Sequence, residues 1–119
     1  METDGLERFP KEERISKWKE IERVLREGES LRGSFFTLFI RRAERRRFGI
    51  LTKKIKGGVK RNKLRRRLRE IYRKEKKWME DGIEIVVVVG KEALEKTYWE
   101  LREEFLGLLK KGGYWKGPS

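Results

Sequence analysis

The chain has 119 residues, of which 33 are lysine or arginine and 20 are acidic, so its formal net charge at pH 7 is +13. It contains neither cysteine nor histidine, which excludes disulfides, thiolate zinc sites, cysteine nucleophiles and histidine general bases. The length predicts one domain over residues 1–119, and the charge predicts a polyanionic partner, either nucleic acid or an anionic membrane surface.

The positive charge is concentrated in the middle of the chain. Residues 41–77 hold 19 lysines and arginines against three glutamates, whereas the rest of the chain holds 14 bases and 17 acids. The middle segment is therefore predicted to bind the polyanion. No apolar run approaches the roughly 20 residues that span a bilayer, and the N-terminal sequence METDGLERFP lacks the apolar core of a signal peptide. We expect a cytoplasmic protein with no membrane partner and no small-molecule substrate. The abundance of lysine, glutamate and arginine resembles thermophile usage.

The N-terminal part of the chain is predicted to be a loose arm followed by a helix. Residues 1–14 show no clear periodicity. Ser16 is a suitable N-cap for a helix that ends near Glu27, and Gly28 suits the position just after the last helical residue. The apolar residues at helical spacing, which are expected to face the core, are Ile15, Trp18, Ile21 and either Leu25 or Val24.

Two strands are predicted next, over about residues 34–41 and 48–53. In the first strand, one face consists of Phe36, Leu38 and Ile40 and is expected to pack in the core. The other face mixes aromatic and polar side chains and is expected to meet solvent or a ligand; its members are Phe35, Thr37, Phe39 and Arg41. The short charged link between the two strands predicts that they pair as a hairpin.

The second half of the chain is predicted to form a helix, a strand and a final helix. The helix, over about residues 60–78, has a narrow apolar stripe of Leu64, Leu68 and Ile71. The sequence IEIVVVV, Ile83–Val89, is nearly all β-branched and predicts a buried central strand. A last helix is expected over about residues 91–111, and residues 112–119 are expected to form a flexible tail. This order of elements predicts an α+β sandwich with helices on a small sheet.

The helix that begins near residue 60 carries the most informative chemistry. Arg61, Arg65 and Arg69 recur every four residues and so share one face, opposite the apolar stripe. Guanidinium groups stay charged and match phosphate oxygens bidentately. A helix that is merely solvated usually mixes charges of both signs, whereas residues 60–77 contain only two acids. The self-repulsion of this face therefore predicts a nucleic-acid partner.

The sequence RFGILTKKIKGGVKRNKLRRRLREIYR resembles the signature of the bacterial ribonuclease P protein family. The family pattern R-N-x-x-[KR]-R-x-x-R-E is filled by Arg61, Asn62, Arg65, Arg66, Arg69 and Glu70. The upstream sequence RISKWKEIERVLREGESL is similar to the family's first helix, and FFTLFI stands where the family has an aromatic strand. The resemblance covers about residues 14–109. It departs from the family between Gly49 and Arg61, where one residue is missing, so that either Gly57 fills the place of the loop glycine or Lys56 replaces it.

The resemblance implies both a fold and a function. The fold is an αβββαβα sandwich with a small four-stranded sheet, like a ribosomal-protein domain also found as domain IV of elongation factor G, with a left-handed βαβ crossover. The function is that of the accessory protein subunit of an endoribonuclease that removes the 5′ leader from precursor tRNA. The RNA subunit performs the hydrolysis and requires Mg²⁺, while the protein holds no cofactor. The implied partners are the ribonuclease P RNA subunit and precursor tRNA.

The resemblance and the charge pattern together define two sets of candidate residues. Those expected to bind RNA are Lys53, Lys54, Lys60, Arg61, Asn62, Lys63, Arg65, Arg66, Arg69 and Arg73. Those expected to line a cleft for the single-stranded leader are Ile21, Leu25, Phe35, Thr37 and Phe39. Exposed aromatic rings beside cations suit stacking on unpaired bases. The competing interpretation is that Phe35 and Phe39 pack in the core beneath a helix.

Three other functions fit parts of the sequence. A ribosomal or other structural RNA-binding protein would have the same basic helix without a need for an aromatic cleft. A protein-only nuclease needs clustered carboxylates for two metal ions, and the acids here are scattered among bases. A DNA-binding module fits the charge, but the sequence has no helix-turn-helix or zinc signature.

Overall fold

The computed structural model of the chain describes residues 9–118. Its helices and strands are α1 (Trp18–Glu27), β1 (Glu29–Arg32), β2 (Phe36–Arg42), β3 (Arg47–Thr52), α2 (Gly58–Glu75), β4 (Ile83–Val89) and α3 (Tyr98–Gly112). Short 3-10 turns cover Lys11–Glu13, Lys76–Trp78 and Lys91–Ala93. The predicted order αβββαβα is confirmed. The prediction of one domain over residues 1–119 stays a prediction, since residues 1–8 and 119 lie outside the described part.

The four strands form one mixed sheet in the order β1-β2-β4-β3. Strand β4 lies between β2, to which it is antiparallel, and β3, to which it is parallel. The hairpin that was predicted between strands 34–41 and 48–53, which are β2 and β3 of the structure, is therefore wrong. Strand β4 is apolar along most of its length and buried on both faces. Its backbone N–H and C=O groups therefore find hydrogen-bond partners best at the centre of the sheet, where β4 separates β2 from β3. The hairpin partner of β2 is β1, whose sequence ESLR carries a single apolar residue and so gave no strand signal.

The main core lies between the sheet and the layer formed by α2 and α3. Phe36, Leu38 and Ile40 of β2 are buried there, as predicted. The stripe Leu64, Leu68 and Ile71 of α2 also packs in this core. Strands β3 and β4 are parallel neighbours joined through α2. The left-handed sense of that crossover, implied by the family resemblance, stays a prediction.

Helix α1 covers part of the opposite face of the sheet, where Ile21 and Val24 pack on Val86 of β4. The helix begins at Trp18 with Lys17 as its N-cap, so the predicted cap Ser16 lies outside it. The prediction that Trp18 faces the core is wrong, because its side chain is 58% exposed. It stands seven residues before Leu25 and so shares the side of α1 that borders the uncovered part of the sheet.

Gly28 ends α1 for a reason other than the predicted one. Its backbone is extended, with φ −87°, and not left-handed. A Cβ atom at this position would lie 2.6 Å from the carbonyl oxygen of Val24 and 2.9 Å from that of Ile40. Glycine is required because the chain passes this close to β2 as it leaves the helix.

A buried carboxylate connects α1 to the sheet. Glu84 of β4 is only 5% exposed, and its two oxygens accept hydrogen bonds from Arg41 Nη1 at 3.1 Å and Arg47 Nη1 at 3.4 Å. These arginines also donate to the two ends of α1, Arg41 to Glu27 at 2.8 Å and Arg47 to Glu20 at 3.0 Å. The hydrogen bond from Arg41 lowers the pKa of the Glu27 carboxyl. The network of five charged side chains thus fixes where α1 crosses the sheet.

The described part of the predicted loose arm, residues 9–14, packs against the body of the protein. The ring of Phe9 meets Phe48 and Tyr72 edge-on, with centroids 5.9 and 5.4 Å away. Glu13 accepts hydrogen bonds from the Tyr72 hydroxyl at 3.0 Å and from the buried Lys76 ammonium at 2.9 Å. The prediction is wrong for these residues because their partners lie on β3, on α2 and on the turn after α2, between 39 and 63 positions away in the sequence.

The last helix begins later than predicted. Residues Lys91–Ala93 form a 3-10 turn and α3 starts only at Tyr98. Thr97 caps it: its hydroxyl accepts from the Glu100 backbone N–H at 3.1 Å, while the Glu100 carboxylate accepts from the Thr97 N–H at 2.9 Å. This reciprocal capping box is encoded by the sequence TYWE and marks the true helix start.

The described residues of the predicted flexible tail are also held in place. Tyr114 is buried and its hydroxyl donates to Glu29 at 2.7 Å. Trp115 pairs with Met79 as an isolated β-bridge, and the Lys116 backbone N–H donates to the Trp78 carbonyl at 2.6 Å. The tail therefore closes over the turn that follows α2. Aromatic residues near a chain end can anchor it by burial, which outweighs the usual fraying of termini.

We predict that Glu84→Ala lowers the free energy of unfolding by about 3 kcal/mol, because Arg41 and Arg47 then lose their shared buried partner. Urea unfolding measures the difference. The matched control Glu80→Ala removes a half-exposed carboxylate 3.8 Å from Arg42 and should cost less than about 1 kcal/mol. A loss of the same small size for Glu84→Ala would contradict a structural role for the network.

Candidate RNA-binding surfaces

Helix α2 presents a row of guanidinium groups along the flank that faces β3 and the loop after it. Arg61 and Arg65 are half-buried and Arg69 is exposed, and none of the three pairs with a carboxylate among the described residues. Arg61 Nη1 donates to the carbonyl of Ile55 at 3.4 Å, and Arg65 Nη1 donates to that of Ile50 at 3.3 Å. The structure therefore brings together the arginine row that the sequence predicted, and it orients two of its members against backbone oxygens.

The charges in this row repel one another. Burial lowers the pKa of Arg65, and the neighbouring Arg69 and Arg61 lower it further. The charged form of Arg65 is thus disfavoured within the protein itself. A phosphate group bound here would offset both the free-energy cost of burying the guanidinium and its repulsion by the neighbouring arginines. This is the electrostatic character of an anion-binding surface.

The other predicted RNA-binding residues surround the row. Lys53, Lys54, Lys60, Asn62, Lys63 and Arg66 are exposed on α2 or on the loop before it. Arg73 is half-buried and donates to Glu70 at 2.6 Å, so this arginine also has a structural partner. Asn62 lies inside the helix and does not cap it; Gly57, with φ 89°, holds that position and offers no side chain. The uncapped N-terminus adds a positive end of the helix dipole to the cationic surface.

The arginine row continues onto the N-terminal segment across a cavity of about 470 Å³. Arg65 and Arg69 border it on one side, and Lys11, Arg14 and Lys17 border it on the other. Glu20 also reaches the cavity but is bound by Arg47. Sequence reasoning missed the three N-terminal cations because it treated most of their segment as a loose arm. Their signal was the run KEERISK, which becomes relevant only once Phe9 and Glu13 anchor the segment.

Helix α1 leaves part of its face of the sheet uncovered, and we call this half-buried area beside α1 the cleft. Phe39 and Thr37 of β2 and Leu25 of α1 line it as half-buried side chains. Leu51 of β3 and Val88 of β4 lie on the same face and are half-buried too, although the sequence did not single them out. Phe39 is therefore neither a fully buried core residue nor a fully exposed stacking residue. It packs on the cluster of Ile21 and Val24 under α1, and it remains partly accessible to solvent.

Two predicted cleft residues are placed differently. Ile21 is almost fully buried and supports the cleft from beneath α1. Phe35 precedes β2 and packs against the main core, with the Lys96 ammonium 4.7 Å from its ring centroid. The strand begins about two residues later than predicted, because the Phe35 and Phe36 backbone N–H groups donate to the Glu104 carboxylate. This turn moves Phe35 away from α1.

Within residues 9–118, no group of three or more acidic side chains could hold a metal ion. In the same part of the chain, no helix has the length and apolar content needed to cross a membrane.

Comparisons with known proteins find relatives in one family. The family model for ribonuclease P matches residues 9–113. The ribonuclease P protein component of Dictyoglomus turgidum is 37% identical over 117 residues, which cover 94% of this chain and 98% of that protein. The component of Thermotoga maritima is 34% identical over 112 residues, 88% of this chain and 96% of that protein.

Solved structures show the same fold. The RNase P protein from Thermotoga maritima superimposes with a TM-score of 0.74 at 33% identity, covering 83% of this chain and 96% of that chain. The Staphylococcus aureus RNase P protein superimposes with a TM-score of 0.77 at 23% identity, covering 87% and 97%. The second likeness concerns the fold alone.

We predict that binding to structured RNA weakens steeply with salt. If the α2 row and the N-terminal cations neutralise at least about five phosphates, the slope of log K against log salt has a magnitude of about 4 or more. Arg65→Ala combined with Arg69→Ala should reduce that magnitude by about 1 to 2. Titrations at four salt concentrations give both slopes. A nearly flat slope for the unaltered protein would mean that the basic surface is not the interface.

Proposed function

Because the chain belongs to the ribonuclease P protein family and is the protein component of that tRNA-processing endoribonuclease, we propose that it binds two RNAs through two different surfaces. The arginine row of α2, continued by the N-terminal cations, holds the ribonuclease P RNA subunit. The cleft beside α1 holds the single-stranded 5′ leader of precursor tRNA. The RNA subunit performs the hydrolysis with Mg²⁺, and the complex acts in the cytoplasm.

The observation that carries this proposal is the separation of two chemistries onto two different surfaces of the protein. Helix α2 lies on the main-core face and offers guanidinium groups without acidic partners among the described residues. The cleft lies on the α1 face and offers an aromatic ring with apolar neighbours. A row of guanidinium groups matches a phosphate backbone whatever its sequence, whereas an accessible ring suits unstacked bases. One protein could therefore bind folded RNA and a single strand together.

We predict that the protein alone leaves precursor tRNA intact. It lacks histidine and cysteine, and its described carboxylates form no metal-binding cluster. Nuclease-free protein should give no 5′ cleavage on a gel, and cleavage should appear when a bacterial ribonuclease P RNA and Mg²⁺ are added. Cleavage by protein alone that a single carboxylate substitution abolishes would contradict the assignment of catalysis to the RNA.

We predict that Phe39→Ala weakens binding of precursor tRNA by about 1–3 kcal/mol, the value of one lost stack, and leaves assembly with the RNA subunit nearly unchanged. Mature tRNA, which has no leader, should bind as before. Arg65→Ala with Arg69→Ala should instead weaken assembly and affect all substrates alike. The measurements are affinity of the protein for the RNA subunit and affinity of the holoenzyme for precursor and mature tRNA.

Phe39→Leu is the matched control for packing. Leucine retains the apolar contact with the α1 cluster but has no ring, so this variant should fold and still lose the leader contribution. If both variants weaken precursor and mature tRNA equally, the leader does not bind in this cleft. If Phe39→Leu binds precursor normally while Phe39→Ala unfolds, Phe39 is a core residue only.

A further inference from the structure

Two tryptophan side chains lie side by side where the C-terminal segment closes over the end of α2. Trp78 belongs to the 3-10 turn that follows α2, and Trp115 pairs with the next residue, Met79, as an isolated β-bridge. Gly117 lies against both side chains: a Cβ atom at this position would be 2.8 Å from Trp115 Cζ2 and 2.8 Å from Trp78 Cγ. We call Trp78 and Trp115 the tryptophan platform.

The tryptophan platform is held in place and still remains open to solvent. The Trp115 indole N–H donates to the Pro118 carbonyl at 2.9 Å, and the Lys116 backbone N–H donates to the Trp78 carbonyl at 2.6 Å. Trp78 is nevertheless 38% exposed, and Trp115 is only half-buried. Burial stabilises an indole most when its whole surface leaves water. Anchoring of the tail therefore accounts for part of these two rings, and the accessible part is a preorganised surface for a partner.

Lysine side chains border the tryptophan platform. The Lys77 ammonium lies 5.8 Å from the centre of the Trp78 ring, and the Lys110 ammonium lies 5.9 Å from the centre of the Trp115 ring. Lys116 is exposed at the next position of the tail. Neither Lys110 nor Lys116 pairs with a carboxylate within residues 9–118. Rings flanked by ammonium groups suit single-stranded nucleic acid, because the ring stacks on a base while the cations contact phosphates.

A third tryptophan, Trp99, is more exposed but has different surroundings. Its side chain is 69% exposed. The guanidinium 5.9 Å from its ring centre belongs to Arg102, which donates to Glu75 at 2.8 Å. Two further acids on the same helix, Glu100 and Glu103, are exposed beside it. A polyanion is therefore favoured at the tryptophan platform and disfavoured at Trp99, although the Trp99 ring is the more accessible one.

The arginine row of α2 leads towards the tryptophan platform. Cations recur at every fourth position along α2 and the turn after it; they are Arg61, Arg65, Arg69, Arg73 and Lys77. Trp78 follows directly. From the rise per residue of α- and 3-10 helices, Trp78 lies about 15 Å beyond Arg69 along the helix axis. An RNA strand whose phosphates follow the row can therefore reach the tryptophan platform within a few nucleotides.

We propose that the tryptophan platform stacks on an unpaired nucleotide of the RNA subunit, while Lys110 and Lys116 contact the phosphates that flank this nucleotide. This inference rests on the proposed function of the arginine row and extends that interface past the C-terminal end of α2. The family model ends at residue 113, so Trp115 and Lys116 stand outside the matched region. Removing a ring should lower the affinity without changing its salt dependence, because no counterion release is lost.

The test measures the affinity of the full-length protein for a bacterial ribonuclease P RNA at four salt concentrations. Trp78→Leu removes the ring and keeps an apolar side chain. It should weaken binding on the order of tenfold and leave the slope of log K against log salt unchanged. Lys110→Gln with Lys116→Gln should instead reduce the magnitude of that slope by about 1 to 2. Trp78→Tyr retains a ring and should restore most of the affinity.

Trp99→Leu is the matched control, because it removes a more exposed ring whose neighbouring cation already has a carboxylate partner. This variant should bind the RNA subunit as the unaltered protein does. Urea unfolding checks that each variant is folded. Equal losses for Trp78→Leu and Trp99→Leu would show a general effect of removing exposed rings, and the inference would be overturned.

Tryptophan fluorescence tests the stack without a substitution in the tryptophan platform. The chain has four tryptophans, so Trp18→Phe combined with Trp99→Phe leaves Trp78 and Trp115 as the only ones that emit. Stacking on a base should quench this emission when the RNA subunit is added. Unchanged emission at saturating RNA would overturn the inference, and this result decides the matter even if Trp78→Leu fails to fold.

The remaining outcomes separate this inference from the proposed function. If Trp78→Leu assembles normally but its holoenzyme binds mature tRNA more weakly, the platform contacts the tRNA body and the inference is overturned. If Trp78→Leu behaves normally in both assays while Arg65→Ala with Arg69→Ala assembles weakly, the inference fails and the arginine row stands. If the arginine variant also assembles normally, both the inference and the proposed role of the row fail.

Discussion

The whole architecture depends on the need of β4 for burial on both faces. Its residues Ile83–Val89 are nearly all apolar, so the strand is stable only with helices over each face and strands at each edge. The chain meets this need with α2 and α3 on one side and α1 on the other. Because β4 occupies the centre, β3 moves to the outer position, and α2 has to cross over the sheet to join them. The basic helix is thereby held against the core by its apolar stripe, while Arg61, Arg65 and Arg69 lie along its flank.

Glu84 is the exception within β4, and it decides which cations serve the fold. The buried carboxylate binds Arg41 and Arg47, and these in turn bind the two ends of α1. A buried charge without partners would be strongly destabilising, so the arginines and the carboxylate require one another. The cations of the α2 row have no such acids among the described residues. The difference between the arginines that connect α1 to the sheet and those of the α2 row therefore lies in their partners, since the side chain is the same.

The excess of positive charge has a consequence for stability. Cations on α2 and the loop before it repel one another in the free protein, an effect that a bound polyanion removes. Any RNA that binds the folded state alone also stabilises it by mass action. Contacts made by residues near the two ends of the described chain add stability that offsets this repulsion. Glu13 accepts a hydrogen bond from the buried Lys76 ammonium, and the Tyr114 hydroxyl donates to Glu29. The free protein thus stays folded despite the repulsion between its cations, and a bound polyanion is expected to raise its free energy of unfolding.

Local pattern alone was enough to identify much of this protein. Alternation predicted the buried face of β2, a β-branched run predicted β4, and four-residue spacing predicted the arginine row of α2, because each is a property of neighbouring residues. The family motif on α2 then indicated the αβββαβα order and the function. Spacing did not predict that β4 would separate β2 from β3, that residues 9–14 would dock, or that Trp18 would be exposed.

Tertiary structure also decided the composition of the site. Arg41 meets Glu84 across 43 positions, and Tyr72 meets Glu13 across 59. Arg32 and Lys91, 59 positions apart in the sequence, line one concavity at the end of the sheet only because β1 and the end of β4 flank the start of β2. Hydrophobic periodicity determines which side of an element is buried, but it carries no information about which distant element covers that side. The partners of each charge, and therefore its role, are determined only when the separate segments pack together.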